Sequence, residues 1–288
     1  MTHFAILVTG NNVDQQLAPY HEYECTGRND QYVQDVDITQ EVLGSIEDDT
    51  PSALYAALSY YGLEEHVVED ESHVEKEGDD APHMWGYAVV KDGKLIKAVE
   101  RTNPNKKWDW YVIGGRWSNS LHLKTGGTAD SAYKRDIDFD HMRDAAGQEA
   151  AYRWDKAAAV KVAAGFEADT LWEPWSTIRA RHETDRDTAR VEYYAQPVVE
   201  ALRAVFDNPF RDIDQYLVPR EQYIQQARDR ATVQYAVVKD SQWFAKGEMG
   251  WWGMSDDKVS QEDWNRKVNE LLDALPDDTL ITVVDCHI

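Results

Sequence analysis

The run Tyr-Ala-Val-Val-Lys-Asp occurs twice, at Tyr87–Asp92 and at Tyr235–Asp240. An aromatic and two valines ending in a turn-forming Asp read as the first arm of a β-hairpin. In the first copy Asp92-Gly93 supplies a strong two-residue turn, and Leu95-Ile96-Lys97-Ala98-Val99 returns. In the second, Asp240-Ser241 is a weaker turn and Gln242-Trp243-Phe244 returns. Each hairpin leads into tryptophan. Trp108-Asp109-Trp110-Tyr111-Val112-Ile113-Gly114-Gly115-Arg116-Trp117 follows the first, and Glu248-Met249-Gly250-Trp251-Trp252-Gly253 the second. The repeat therefore predicts two similar hairpins, each adding a Trp-bearing strand to one antiparallel core.

The rest of the chain fits around this frame. His3-Phe4-Ala5-Ile6-Leu7-Val8 is an apolar run closing at Gly10-Asn11-Asn12, and Leu280 to Asp285 follows Pro276-Asp277-Asp278. Both read as core strands of a sheet, and whether they pair with each other stays open. Thr50-Pro51-Ser52 opens a helix, and Ser260-Gln261-Glu262-Asp263 opens another that runs through Ala274. Asp140–Ala164, Asp185–Phe206 and Pro219–Ala231 carry helical periodicity, with Pro197 kinking or splitting the second. Residues 64–82 hold nine acids and read as a solvated loop. Strands and helices are segregated, which predicts an α+β fold with mainly antiparallel sheet. The expected organisation is one domain over 1–288, with an acidic loop at 64–82. A helical insertion at about 139–231 separates the two hairpin units.

Charge narrows the partners. Thirty Lys and Arg against 53 Asp and Glu leave a net −23. Such a field repels nucleic acid and anionic membrane, so direct binding to either is not expected. Two cysteines, Cys25 and Cys286, make no disulfide framework. Met1-Thr2-His3-Phe4 lacks the basic and apolar regions of a signal peptide, and no apolar run is long enough to span a membrane. The expected setting is a reducing cytoplasm. No phosphate loop, dinucleotide fingerprint, nucleophile elbow, CxxC pair or HExxH occurs. Neither a metal nor a cofactor is expected.

The tryptophan strand holds the main candidates. Strict alternation puts Trp108, Trp110 and Val112 on one face, with Asp109, Tyr111 and Ile113 on the other. Aromatic faces beside an Arg can hold a nucleobase, and Arg116 suits a phosphate. Gly114-Gly115 would let backbone approach a ligand. The predicted ligand-binding set is Trp108, Asp109, Trp110, Tyr111, Arg116 and Trp117, with Glu248, Trp251 and Trp252. Of these, Trp108, Trp110, Arg116, Trp251 and Trp252 are expected to line one pocket. The competing reading is that most of these tryptophans are core. A second candidate lies at the other end. Asp285 and His287 share a face of the last strand, Cys286 lies opposite, and His3 comes close if the first strand pairs there. A Cys–His or Asp–His couple suits nucleophilic or base chemistry. The competing reading is a buried Cys and a surface His.

The stretch Arg101 to Trp117, centred on Lys107-Trp108-Asp109-Trp110-Tyr111, resembles a family of uncharacterised proteins encoded by bacteriophages, notably those of actinobacteria. Gln16-Leu17-Ala18-Pro19-Tyr20, Met142-Arg143-Asp144, Glu248 to Gly253 and the ending Leu275 to Ile288 carry the resemblance along almost the whole chain. Relatives often hold a longer insertion near the acidic segment. The resemblance implies a phage accessory protein in the host bacterial cytoplasm and carries no catalytic residues. Three functions are compatible with these observations. The first is binding and modulation or inhibition of a host component, a defence or a metabolic protein. The second is nucleotide binding or sequestration by a Trp/Arg pocket, and the third an enzyme of unrecognised type. Whether the chain forms a homo-oligomer stays open.

Overall fold

The computed structural model describes residues 2–22, 30–48, 50–78, 80–206, 213–249 and 255–288. The chain divides into two compact units. The first comprises Met1–Ser120, Tyr235–Lys258 and Thr279–Ile288; the second comprises Leu121–Gln234 and Val259–Asp278.

The first unit opens with β1 (His3–Thr9) and a short helix, α1 (Val13–Leu17). Then come β2 (Gln34–Asp37), α2 (Thr39–Gly44), α3 (Pro51–Tyr60) and β3 (Val67–Val68). A hairpin of β4 (Gly86–Lys91) and β5 (Lys94–Thr102) precedes β6 (Trp110–Ile113). The short strands β7 (Leu121–His122), β8 (Thr128–Ala129) and β9 (Ser131–Tyr133) belong to the second unit. The first unit resumes with the hairpin β10 (Ala236–Lys239) and β11 (Gln242–Ala245), then β12 (Gly247–Met249) and β13 (Ser255–Asp257). It closes with β14 (Leu280–His287).

The central sheet of this unit runs β11-β10-β1-β14-β6. The first and last strands lie side by side at its centre. They pair antiparallel from His3↔His287 to Thr9↔Ile281. Both are buried along nearly their whole length, which is why they read as unbroken apolar runs rather than alternating ones. β10 lies parallel to β1, with Ile6 opposite Ala236. β6 flanks β14, with His287 opposite Trp110. One face of this sheet buries Phe4, Ile6, Val8, Ala236, Val238, Val284 and Cys286 against Leu17 and Trp108.

A second sheet runs β2-β5-β4-β3, and α2 and α3 supply its apolar cover through Val42, Ala57 and Leu58. Thr50 caps α3 by accepting a hydrogen bond from the Ala53 N–H, and Pro51 fills the first turn. The two copies of the repeat therefore sit in different sheets, β4 in the second and β10 in the central one. They share a turn geometry instead. Asp92 and Gly93, like Asp240 and Ser241, all take positive φ, the requirement of a tight hairpin turn. The strand with Trp110 also joins β14 rather than its preceding hairpin. The expectation that both hairpins feed one core is thus corrected: the turn chemistry is repeated, the sheet placement is not.

The acidic segment carries structure of its own. β3 pairs with β4, and the Glu71 carboxylate accepts from the Tyr87 hydroxyl at 2.6 Å and from Lys97 Nζ at 2.5 Å. These bonds hold an otherwise polar stretch against the sheet.

The second unit is mostly helical. α4 (Phe139–Ala163) is capped by Asp138, which accepts from the His141 N–H. α5 (Trp175–Arg181), α6 (Arg186–Tyr194), α7 (Pro197–Phe206), α8 (Arg220–Arg230) and α9 (Gln261–Ala274) follow. Pro197 begins α7, so it separates two helices rather than kinking one. Trp172, Ile178, Tyr193, Val199, Leu202 and Tyr216 form the core. The donors to Asp214 there include Trp172 Nε1 at 2.7 Å, the Tyr193 hydroxyl at 2.6 Å and the Trp175 N–H at 2.6 Å. Lys161 is also buried, its ammonium lying 5.7 Å from the Trp154 ring and 5.6 Å from the Trp172 ring.

The whole is an α+β fold with mainly antiparallel sheets; β1–β10 and β3–β4 are parallel exceptions. Among the described residues no helix is long and apolar enough to cross a membrane.

Candidate functional site

Strand register builds a polar row on one face of the central sheet. His3 lies opposite His287, and His287 lies opposite Trp110. Residues directly opposite in an antiparallel pair project to the same side, so these three rings meet. Two residues further along the ladders, Ala5, Asp285 and Val112 form the next row. The alternate residues Phe4, Cys286 and Tyr111 point into the core on the other side.

Each histidine is held by a carboxylate. His3 Nδ1 lies 2.8 Å from Asp285 Oδ1, and His287 Nδ1 lies 2.7 Å from Asp109 Oδ1 and 2.9 Å from Oδ2. An ionised carboxylate only accepts, so each Nδ1 carries the proton. That fixes the tautomer and turns both Nε2 atoms away from the acids. Neither Nε2 has a hydrogen-bond partner among the described residues. The acids are anchored in turn. Asp285 Oδ2 accepts from the Arg116 N–H at 2.9 Å, and Asp109 Oδ1 accepts from the Trp110 N–H at 2.7 Å. His21 Nε2 donates to the Asp109 carbonyl at 2.7 Å, fixing the backbone at that point.

The rings pack closely. The His3 and His287 centroids are 4.9 Å apart at 71°, and Trp110 stacks on His287 at 4.9 Å and 18°. The two imidazole side chains are only 11% and 5% exposed, whereas Trp110 is 44% exposed. One edge of the cluster is therefore locked and the other open to solvent.

Gly114 and Gly115 end β6 with φ of 70° and 53°. A Cβ on Gly115 would fall 2.5 Å from the Asp285 Cβ and Oδ2. Only a residue without a side chain lets the loop close over Asp285 and present the Arg116 N–H to it. The Arg116 side chain is exposed, and its guanidinium has no ion-pair partner among the described residues.

The predicted residues divide. Asp109 and Trp110 meet the histidine row through their side chains, and Arg116 reaches it through its backbone N–H on Asp285. Trp108 does not share their face, because regular strand begins only at Trp110. Trp108 instead makes an isolated bridge with His21, lies buried in the core, and donates through Nε1 to the Leu17 carbonyl at 3.2 Å. Tyr111 packs edge-on against it at 5.1 Å, and its hydroxyl donates to Asp14. Burial and then that bond push the Tyr111 hydroxyl well above its ordinary range. Trp117 is half-buried at the end of the Gly115–Trp117 turn. Glu248 pairs with Lys107 at 2.6 Å beside a cavity of about 40 Å³ lined by Phe4, Tyr235 and Trp243. Trp108 and Trp110 therefore do not line one pocket, and Trp251 and Trp252 lie outside the described residues.

The carboxyl-terminal reading resolves toward Asp–His rather than Cys–His. Cys286 is fully buried on the opposite face. Burial first, then the charges of Asp285 and Asp109, push its thiol far up, so it is not a thiolate nucleophile. His287 is not a surface histidine; it is buried and bonded. The pairing of His287 with Asp109, and the support from His21, had no signal in local spacing.

Asp109 also reaches the end of an open groove of about 590 Å³, lined by Tyr60, Tyr61, Trp85, Glu100, Arg101 and Lys106. That volume is in the range of small-ligand sites, about 300–1,000 Å³. Among the described residues no group of three or more His, Cys, Asp or Glu is placed to hold a metal ion. Comparison with family models, with curated proteins and with solved structures finds no match to this chain.

Proposed function

We propose that the first unit binds a small phosphorylated ligand of the nucleotide class on the His3–His287–Trp110 face. Two observations carry this: an exposed Trp110 stacked on His287, and an exposed Arg116 whose backbone N–H is held by Asp285 and whose guanidinium has no ion pair among the described residues. In a chain with 53 acids, a cation left without a carboxylate suits an external anion. Stacking of one base on an aromatic face contributes about 1–3 kcal/mol, and a guanidinium binds phosphate with two parallel hydrogen bonds. The net −23 repels long polyanions but leaves a small ligand held by local contacts. Together with the resemblance to phage proteins, this makes a host nucleotide the natural ligand and its withdrawal from a host process the natural task.

Thermal shift and calorimetry against mono-, di- and cyclic nucleotides test the reading, with inorganic phosphate and free nucleosides as controls. Ligand binding to the native state raises Tm by mass action. Trp110→Ala and Arg116→Ala should each weaken binding about tenfold or more, as loss of a contact worth about 1.4 kcal/mol or more does. Flat curves across the panel would remove the proposal.

A second reading, docking to a host protein, has its own support. β6 ends the strand order of the central sheet, and Val112 and Ile113 are each 47% exposed beside Trp110. An edge strand with apolar side chains open on both faces is a ready template for a protein partner. Capture of one host protein by the wild type but not by Val112→Lys, with no nucleotide response, would favour this reading.

A further inference from the structure

We infer that His3 and His287 are a general acid–base pair that hydrolyses a phosphodiester bond of the bound nucleotide. This rests on the nucleotide reading and goes beyond binding to an activity. Its basis is the doubled arrangement itself. Two imidazoles on neighbouring strands, 4.9 Å apart between centroids, are each tied through Nδ1 to a separate carboxylate. Both rings lie on the same face of the sheet, and in each Nε2 is the nitrogen that the carboxylate does not take. A lone Asp–His bond serves equally as a strut; two, side by side, with both outer nitrogens left without described partners, provide a place for one proton to enter and another to leave.

Phosphodiester hydrolysis needs that pair of roles. The neutral imidazole takes a proton from water as the water oxygen bonds to phosphorus. The protonated imidazole gives its proton to the ester oxygen as the P–O bond breaks. The products are a phosphomonoester and an alcohol. No electrons are exchanged, and solvent returns the two rings to their starting protonation. Arg116 supplies positive charge for the non-bridging oxygens, where charge accumulates in phosphoryl transfer. Asp109 and Asp285 are positioning residues. Their oxygens are occupied by the histidines and by the Trp110 and Arg116 N–H groups, so they hold ring orientation and stabilise the imidazolium. Cys286 takes no part, being on the buried face.

The test incubates the full chain with cyclic mononucleotides and with cyclic and linear dinucleotides, following products by ³¹P NMR and binding by calorimetry. Turnover with a bell-shaped pH profile is expected. His3→Asn and His287→Asn should each lower kcat on the order of 100- to 10,000-fold, with nucleotide Kd within about threefold of wild type. Asp109→Asn should move one limb of the pH profile while leaving Kd unchanged, which a merely structural role would not do. Binding without product across the pH range overturns the catalytic inference and leaves the binding proposal standing. Neither binding nor product overturns both. Equal turnover by folded His3→Asn and His287→Asn also overturns it. If both variants fail to fold, the wild-type profile decides: rates that do not change from about pH 5 to 9 overturn the assignment.

Discussion

His3 and His287 stand opposite one another across the β1–β14 ladder, and each takes its carboxylate from a different place. Asp285 comes from the same strand as His287 but serves His3. Asp109 comes from the residue just before β6 and serves His287. The crossed arrangement ties three strands together through side chains as well as through backbone. It also makes the cluster sensitive to any shift of the loop that follows β6.

Gly115→Ala tests that sensitivity. The added methyl would meet Asp285 at 2.5 Å in a backbone conformation that side chains rarely adopt. The expected cost is about 1–3 kcal/mol of stability, measured by urea unfolding. Loss of the Arg116 N–H bond should also weaken nucleotide binding. A variant with wild-type stability and affinity would show that the close approach is not needed.

Trp108 and Trp110 should behave as opposites. Trp108→Ala empties a core position and should cost about 3–5 kcal/mol. Trp110 is 44% exposed, and Trp110→Ala should cost about 1 kcal/mol, the worth of its ring contacts. Ligand affinity should fall in Trp110→Ala and persist in whatever Trp108→Ala remains folded. Equal destabilisation by the two would contradict the opposite-face assignment.

Tyr87 should give the first unit an alkaline weakness. Burial and then its bond to Glu71 push the hydroxyl up to about 12. The unfolded value is about 10. A raised folded value favours the neutral form in the native state. Its stabilisation is therefore complete below about pH 10 and is lost as pH rises toward 12. Tyr87→Phe should flatten the fall in stability between about pH 10 and about 12, the window these two values set. Parallel wild-type and variant curves would show that Tyr87 does not carry the effect.

Lys161 carries the reverse sign. Desolvation lowers its folded value below 10.5, with Asp169 opposing. A lowered folded value disfavours the charged form in the native state. The favourable contribution is present above the unfolded value and is lost as pH falls through the folded one. At pH 7 the ammonium is thus held at a cost, offset by the Trp154 and Trp172 rings and by the Thr170 carbonyl at 3.3 Å. Lys161→Met keeps the volume and removes the charge, so its Tm at pH 7 should equal or exceed that of the wild type. A drop of more than about 5 °C, near 1–2 kcal/mol for a unit of this size, would mean that the aromatic cage binds the cation more strongly than burial penalises it.

What was legible in the sequence followed local physics. Thr50 and Ser260 cap helices because short polar side chains reach free N–H groups one turn on. The apolar runs at His3 and Leu280 pair because both must be buried on two faces. The site was legible by halves. Alternation placed Asp285 with His287, and pairing of the end strands brought His3 beside them. It failed at Trp108, because alternation holds only within a strand and the chain turns at Asp109 before β6 begins. The acidic segment misled for a similar reason. Its charge predicts solvation, but Glu71 finds Tyr87 and Lys97 from β4 and β5. The link from Asp109 to His287 depends on register across β14, which no local pattern encodes.

β1 takes its two neighbours from residues 236–239 and 280–287. During synthesis it must therefore wait for almost everything else, and contacts of such long range are slow to form. The histidine pair cannot exist in a fragment that lacks residues 280–287. Any ligand response of this pair in a refolding experiment would thus time the closure of the β1–β14 ladder.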